Sequence, residues 1–166
     1  MVGLLKGLAK SPNTAVFCMD PMTGMNTMSG QERDTGMASF INTKRVGFDR
    51  TLVLSGNVHS SMVIGTPWDQ NYRPMGYELK TIATDLKEGD IFNILVRYEK
   101  VGSWNCQGAD ADSCSARNGK PVPSDYSNAL KWSHYFMLED SIMNGHQGSI
   151  FLRSTGVSFP FVSSEK

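Results

Sequence analysis

The apolar positions of this chain fall into short runs separated by glycine, proline and small polar residues. Met1, Leu4, Leu5 and Leu8 recur at helical spacing, so the first residues predict a short amphipathic helix that Ser11-Pro12-Asn13 ends. Thr14-Ala15-Val16-Phe17-Cys18-Met19 is a nearly continuous apolar run and predicts a short buried strand, with Cys18 a core thiol. A Met- and Gly-rich loop, Asp20 to Gly30, follows. Ser29 then has Glu32 three residues on, the capping-box spacing, and predicts a helix start. Met37, Phe40 and Ile41 share one face of that helix, and Lys44 and Arg45 suit its negative end. Arg50-Thr51-Leu52-Val53-Leu54-Ser55 predicts a second buried strand, which stops at Gly56-Asn57.

Beyond it the pattern weakens. Trp68 to Gly76 reads as a loop. Leu79 to Ala83 and Ile91 to Tyr98 read as strands either side of the turn Lys87-Glu88-Gly89-Asp90. Gly102 to Ser127 is rich in Gly, Asp, Ser and Pro and reads mostly as loop. Leu130 to Leu138 has no clean period, Ser149 to Arg153 reads as a last strand, and the tail Ser163 to Lys166 is expected to fray. Helix, short link, apolar strand and small polar loop is the rhythm of an α/β protein. The expected fold is a central, mostly parallel or mixed sheet with flanking helices and a long C-terminal loop region, in a single domain over residues 1–166.

Composition narrows the function classes. With 166 residues, 40% of them apolar, the chain is long enough for one domain with a real core. Sixteen basic and sixteen acidic side chains cancel, so a strongly basic nucleic-acid binder and an acidic tail protein are both poorly supported. No apolar run approaches the ~18 residues of a membrane span. The N-terminus lacks a basic n-region followed by a long apolar h-region, so no signal peptide is read there.

The chemistry concentrates after the second apolar run. In open α/β sheets ligands sit at the carboxyl ends of strands, and Gly56-Asn57-Val58-His59 occupies such a place. His59 there could ligate a metal, act as general acid or base, or stabilise an oxyanion; equally, it could be a turn residue bonded to a neighbouring carbonyl. Asn57 could bind substrate or orient the imidazole. Glu32-Arg33-Asp34 opens the preceding helix, where carboxylates suit the positive helix end. Arg33 is four residues from Met37, which places it at the edge of the core as an anion clamp or oxyanion stabiliser.

Other candidates carry less. His134, among Trp132, Tyr135 and Phe136, reads as a packing histidine, and His146 as an exposed residue of the turn Asn144 to Gly148. No Walker loop, nucleophile elbow, dinucleotide fingerprint or H-E-x-x-H motif occurs. The ten methionines, without interleaved His or Cys, read as soft packing. Cys106 and Cys114 bracket a polar stretch and are disulfide candidates in an oxidising compartment, which would make the chain periplasmic or secreted.

Glu32-Arg33-Asp34-x-x-Met37-Ala38, the run Thr51 to Ser55 with Gly56-Asn57-Val58-His59, and Pro74-Met75-Gly76-x-x-Leu79 stand in one order. Over about residues 14–100 this resembles the second half of the superfamily of erythromycin esterases, ChaN-type haem-binding lipoproteins and TraB/Tiki proteases. The resemblance implies an α/β hydrolase with His59 as base or metal ligand, Arg33 as stabiliser and Asp34 beside it, acting on a small-molecule or peptide substrate. It equally allows a non-catalytic binder of haem or another small ligand, drawing on Tyr72, Met75, Tyr77 and His59, or a structural domain. A divalent metal or haem is the cofactor either site reading would call on. The superfamily's earlier Gly-x-x-His or Glu-x-x-His segment has no counterpart before residue 29. That departure suggests a fragment or a reduced relative of a larger fold, with a half-site that a homo-oligomer could complete.

Overall fold

The computed structural model describes residues 7–8, 10–20, 28–87, 89–106, 114–118, 134–143 and 145–155, with the side chains of several strand residues left aside. Gly7 and Leu8 of the expected N-terminal helix are helical, and a turn follows at residues 10–13; the rest of that helix, most of the Met-rich loop, the packing of His134 and the C-terminal tail lie outside the described residues.

Helix α1 spans Gly30–Lys44 and starts as its sequence demands. Ser29 Oγ accepts from Glu32 N at 3.2 Å, and the Glu32 carboxylate accepts from Ser29 N at 2.7 Å, so both halves of the capping box are made. Lys44 lies in the last turn, facing the negative helix end. The buried face of α1 is Asp34, Met37, Ala38 and Ile41, the i, i+3, i+4, i+7 set of one helical stripe. A one-turn helix, α2, spans Asn57–Ser60, and α3 spans Met75–Ile82. The core is built where α1 meets α3: Met37, Ala38 and Ile41 pack with Met75, Leu79 and Ala83, and Met19, Val53, Leu86 and Ile91 close around them.

The second half is a four-stranded mixed sheet of β1 (Ile94–Cys106), β2 (Cys114–Asn118), β3 (His134–Met143) and β4 (His146–Thr155), in the order β2-β1-β4-β3. β1 and β4 run parallel, in register from Ile94↔Gly148 to Val101↔Thr155. The β1–β2 and β3–β4 pairs are antiparallel, and an irregularity interrupts the latter between Leu138 and Met143. The α/β class and the mixed sheet agree with the sequence expectation.

Several elements differ from it. Residues 79–83 belong to a helix and its cap rather than a strand, because Met75, Leu79 and Ala83 recur every four residues and build the core contact. The strand expected at 91–98 begins at Ile94 and continues to Cys106, and β2 also lies in the stretch expected to be loop. Strand β3 occupies the aperiodic aromatic region, and β4 extends the expected last strand at both ends.

The two apolar runs expected as buried strands are not strands. Residues 14–19 and 50–55 join no sheet ladder, and Val16, Phe17, Leu52 and Leu54 are exposed, Leu52 by 84%. Cys18 is correspondingly an exposed free thiol, not a core one. The physical reason is the absence of a neighbouring strand among the described residues: an apolar run is buried only when something covers both its faces. Only Met19 and Val53 reach the core.

Candidate functional site

Asp34 leaves the first turn of α1 on the buried face, and its side chain is completely shielded from solvent. A buried carboxylate must find donors, and this one has two. Oδ2 accepts from the Met75 backbone N–H at 2.9 Å, and Oδ1 lies 2.6 Å from His59 Nδ1. One acid therefore joins α1, α2 and α3: it sits on α1, accepts from the first residue of α3 and holds the imidazole on α2.

An ionised carboxylate only accepts, so a neutral His59 ring beside it carries its hydrogen on Nδ1 and its lone pair on Nε2. The His59 side chain is 28% exposed, and Nε2 has no partner among the described residues and is not sealed from solvent. The pair is a histidine fixed from behind and open in front, the arrangement that suits a general base.

The short helix bearing His59 is clamped to its surroundings by polar contacts. The Asn57 side-chain amide donates to Val96 O at 2.9 Å, and Val96 N donates back to Asn57 Oδ1 at 3.4 Å, which ties α2 to β1. Asn93 donates to both Ser60 O and Gly145 O, and Met62 N donates to Gly145 O at 2.9 Å. Ser60 Oγ donates to Asn57 O and lies 3.2 Å from His146 Nε2. His146, expected to be exposed, is only 4% so. It sits at the start of β4 with the β3–β4 turn folded against α2. Gly145 adopts φ +81°, a conformation that favours glycine, and any Cβ there would collide with Ser61. Gly76 plays the same part from the other side: a Cβ on it would lie 2.7 Å from Ser61 O and closer still to Ser60 O.

Arg33 does not share the buried stripe, since its side chain is 45% exposed. It forms an ion pair with Asp20 through Nε and Nη2. That hydrogen bond is the chief reason the Asp20 carboxyl is held below its usual range, with the charges of Arg33 and His59 adding to it against the opposing effect of burial. Asp20 is not among the residues that the sequence singles out. It follows the apolar run 14–19 much as Gly56 to His59 follows the run 50–55; that shared position after an apolar run is the signal for it, although neither run is a strand.

Tyr72 borders the same region. Its hydroxyl donates to Gly30 O at 3.0 Å, and burial, reinforced by the Asp34 carboxylate, pushes its pKa up to about 12. It is a neutral donor throughout the ordinary pH range. Glu78, also missed, is buried on α3, accepts from Gln31 and pairs with Arg73 at 2.9 Å. Met75 turns its side chain into the core and reaches the site through its N–H alone. Tyr77 is partly buried and accepts from Thr81 at its carbonyl. Among the described residues no three His, Cys, Asp or Glu side chains converge to hold a metal ion. No described helix is long and apolar enough to cross a membrane.

A cavity of about 440 Å³ opens under the extended run 50–55, lined among others by Ile41, Phe48, Leu52, Met62 and Leu79. Ser60 reaches its wall, while His59 and Asp34 do not.

No protein-family model and no curated protein matches the chain. A solved structure, a histidine-to-asparagine mutant of the erythromycin esterase EreC in its open conformation, is similar to it with TM-score 0.53 and 15% identity. The likeness covers 75% of this chain, which spans 37% of the length of that one. At that identity the likeness is one of fold, the fold expected from the esterase resemblance in the sequence.

Proposed function

We propose that this chain carries the general-base part of a hydrolytic site that cleaves carboxylic esters. The observation that supports the reading is the His59–Asp34 pair, a solvent-facing imidazole whose other nitrogen lies 2.6 Å from a fully buried carboxylate. In the proposed reaction Nε2 removes a proton from water, and the resulting hydroxide adds to the ester carbonyl carbon. The negative charge passes to the carbonyl oxygen, where the guanidinium of Arg33 would stabilise it with donors not used by Asp20. The tetrahedral adduct then expels the alcohol, which takes its proton from the imidazolium, and His59 returns neutral. Asp34 holds the ring and favours the cation that forms transiently. The fold likeness to an erythromycin esterase agrees with this chemistry.

The test is hydrolysis of erythromycin and of p-nitrophenyl acetate by the wild type, His59→Gln and Arg33→Met. We expect wild-type turnover above the buffer rate, a loss of about 100-fold or more with His59→Gln, and a smaller loss with Arg33→Met. Turnover that survives His59→Gln unchanged would overturn the proposal, as would a wild type inert towards both esters.

A further inference from the structure

We infer that Cys106 and Cys114 close a disulfide across the end of the β1–β2 hairpin. The argument is one of register. Five antiparallel pairs run from Gly102↔Asn118 to Cys106↔Cys114, so the two cysteines are direct cross-strand partners at the last step of the ladder. Directly opposed positions of an antiparallel pair share a face of the sheet, with Cα atoms roughly 4.5–5.5 Å apart. That separation falls inside the roughly 4.4–6.8 Å that a disulfide spans. Spacing in the sequence brings the two thiols within reach of one another in many conformations; the ladder brings them to the same rung.

The location has a physical use for the bond. Among the described residues β2 is an edge strand of five residues that pairs with β1 alone. A short two-stranded arm is marginal by itself, and a covalent tie at the rung where residues 107–113 join its strands removes chain entropy from the unfolded state. The reaction is a two-electron oxidation. Both thiols lose their hydrogens, the two sulfurs bond, and an external disulfide such as oxidised glutathione is reduced to two thiols. Cys18, free and exposed among the described residues, lies on the other half of the sequence and serves as an internal standard.

The test is independent of any catalytic activity. Protein purified without reductant and equilibrated with oxidised glutathione is denatured, alkylated and weighed intact, with and without prior reduction. The expected result is one alkyl or one glutathionyl group, on Cys18, before reduction and three alkyl groups after it, with a proteolytic fragment joining Cys106 to Cys114. Reductant should also lower the Tm of the wild type and leave that of Cys106→Ser/Cys114→Ser unchanged. Three alkyl groups before reduction, or a bridge that uses Cys18 or a second chain, would overturn the inference.

Discussion

Replacing Asp34 by asparagine separates the two duties of that carboxylate, because the amide can satisfy only one of its neighbours as before. The Met75 N–H is a fixed backbone donor 2.9 Å from Oδ2, and it has no other acceptor among the described residues. The amide oxygen of the substituted side chain must therefore turn towards it, which points the amide nitrogen at His59 Nδ1. Two N–H groups cannot face each other across that 2.6 Å separation. The imidazole has to surrender its Nδ1 hydrogen and take the tautomer protonated on Nε2. The lone pair that faced solvent is lost while the fold keeps a side chain of the same shape.

The magnitudes follow from that geometry. The amide retains a neutral hydrogen bond to Met75, so destabilisation should stay within about 2 kcal/mol. Asp34→Ala leaves the Met75 N–H buried and unpaired and opens a cavity beside it, for a loss of about 2–4 kcal/mol. The functional order is inverted: by analogy with the carboxylate-to-amide change in a catalytic triad, Asp34→Asn should slow hydrolysis by about 100- to 10,000-fold. Nitrogen-15 spectra of the imidazole read the tautomer directly and need no substrate, and urea unfolding gives the stabilities. A neutral ring still protonated on Nδ1 in Asp34→Asn would refute the reasoning, as would equal stabilities of the asparagine and alanine variants.

Four further outcomes are expected. Gly76→Ala places a methyl group against the Ser60 and Ser61 carbonyls, and should lower stability by about 1–3 kcal/mol in urea unfolding while slowing the hydrolysis assigned to His59. Gly145→Ala combines a φ of +81° with a collision at Ser61, so it should cost about as much, although it lies far from His59 in sequence. Asp20, with its pKa lowered chiefly by Arg33, is ionised to lower pH folded than unfolded. Its contribution is complete above about pH 5 and fades as pH falls through the lowered value, so the Tm of wild type and Asp20→Asn should differ at about pH 6 and converge only as the pH falls below that lowered value. Leu52→Ser should change stability by no more than about 0.5 kcal/mol, against about 2–5 kcal/mol for truncating a buried leucine; a loss in the upper range would mean that the run 50–55 is covered.

The local signals in the sequence carried over wherever the structure obeyed them locally. Ser29 and Glu32 make the capping box because both partners lie within one turn. The turn before β1 has Asp90 accepting from Lys87 N and Gly89 at φ +93°, as its composition suggested. Burial was a different matter. The runs 14–19 and 50–55 have the composition of core strands, but burial is a property of two surfaces, and the run itself supplies one. In α3 a carboxylate, Glu78, sits within the buried stripe, so the helical period of Met75, Leu79 and Ala83 is masked and Thr81-Ile82 looks β-like.

The site divides along the same line. His59 drew notice from its place after an apolar run, although that run is not the strand expected there, and the stripe Asp34, Met37, Ala38, Ile41 already carried the information that the acid, and not Arg33, faces inward: Asp34 to Ile41 is two turns of one helical face, whereas Arg33 is offset from it by one residue. What no local pattern holds is the choice of partner. Asp34 meets His59 across 25 residues and Met75 across 41, and Ser60 meets His146 across 86. A polar turn such as Asn144 to Gly148 reads as exposed because its own residues cannot bury one another. Gly145 and His146 are buried here because Ser61 and Ser60 lie against them, and Gly148 because it donates to Asn93 O and sits between β1 and β3. The side chain with the proposed chemical role is therefore the part nearest to being readable, and the contacts that hold it at a fixed angle are the part that requires the fold.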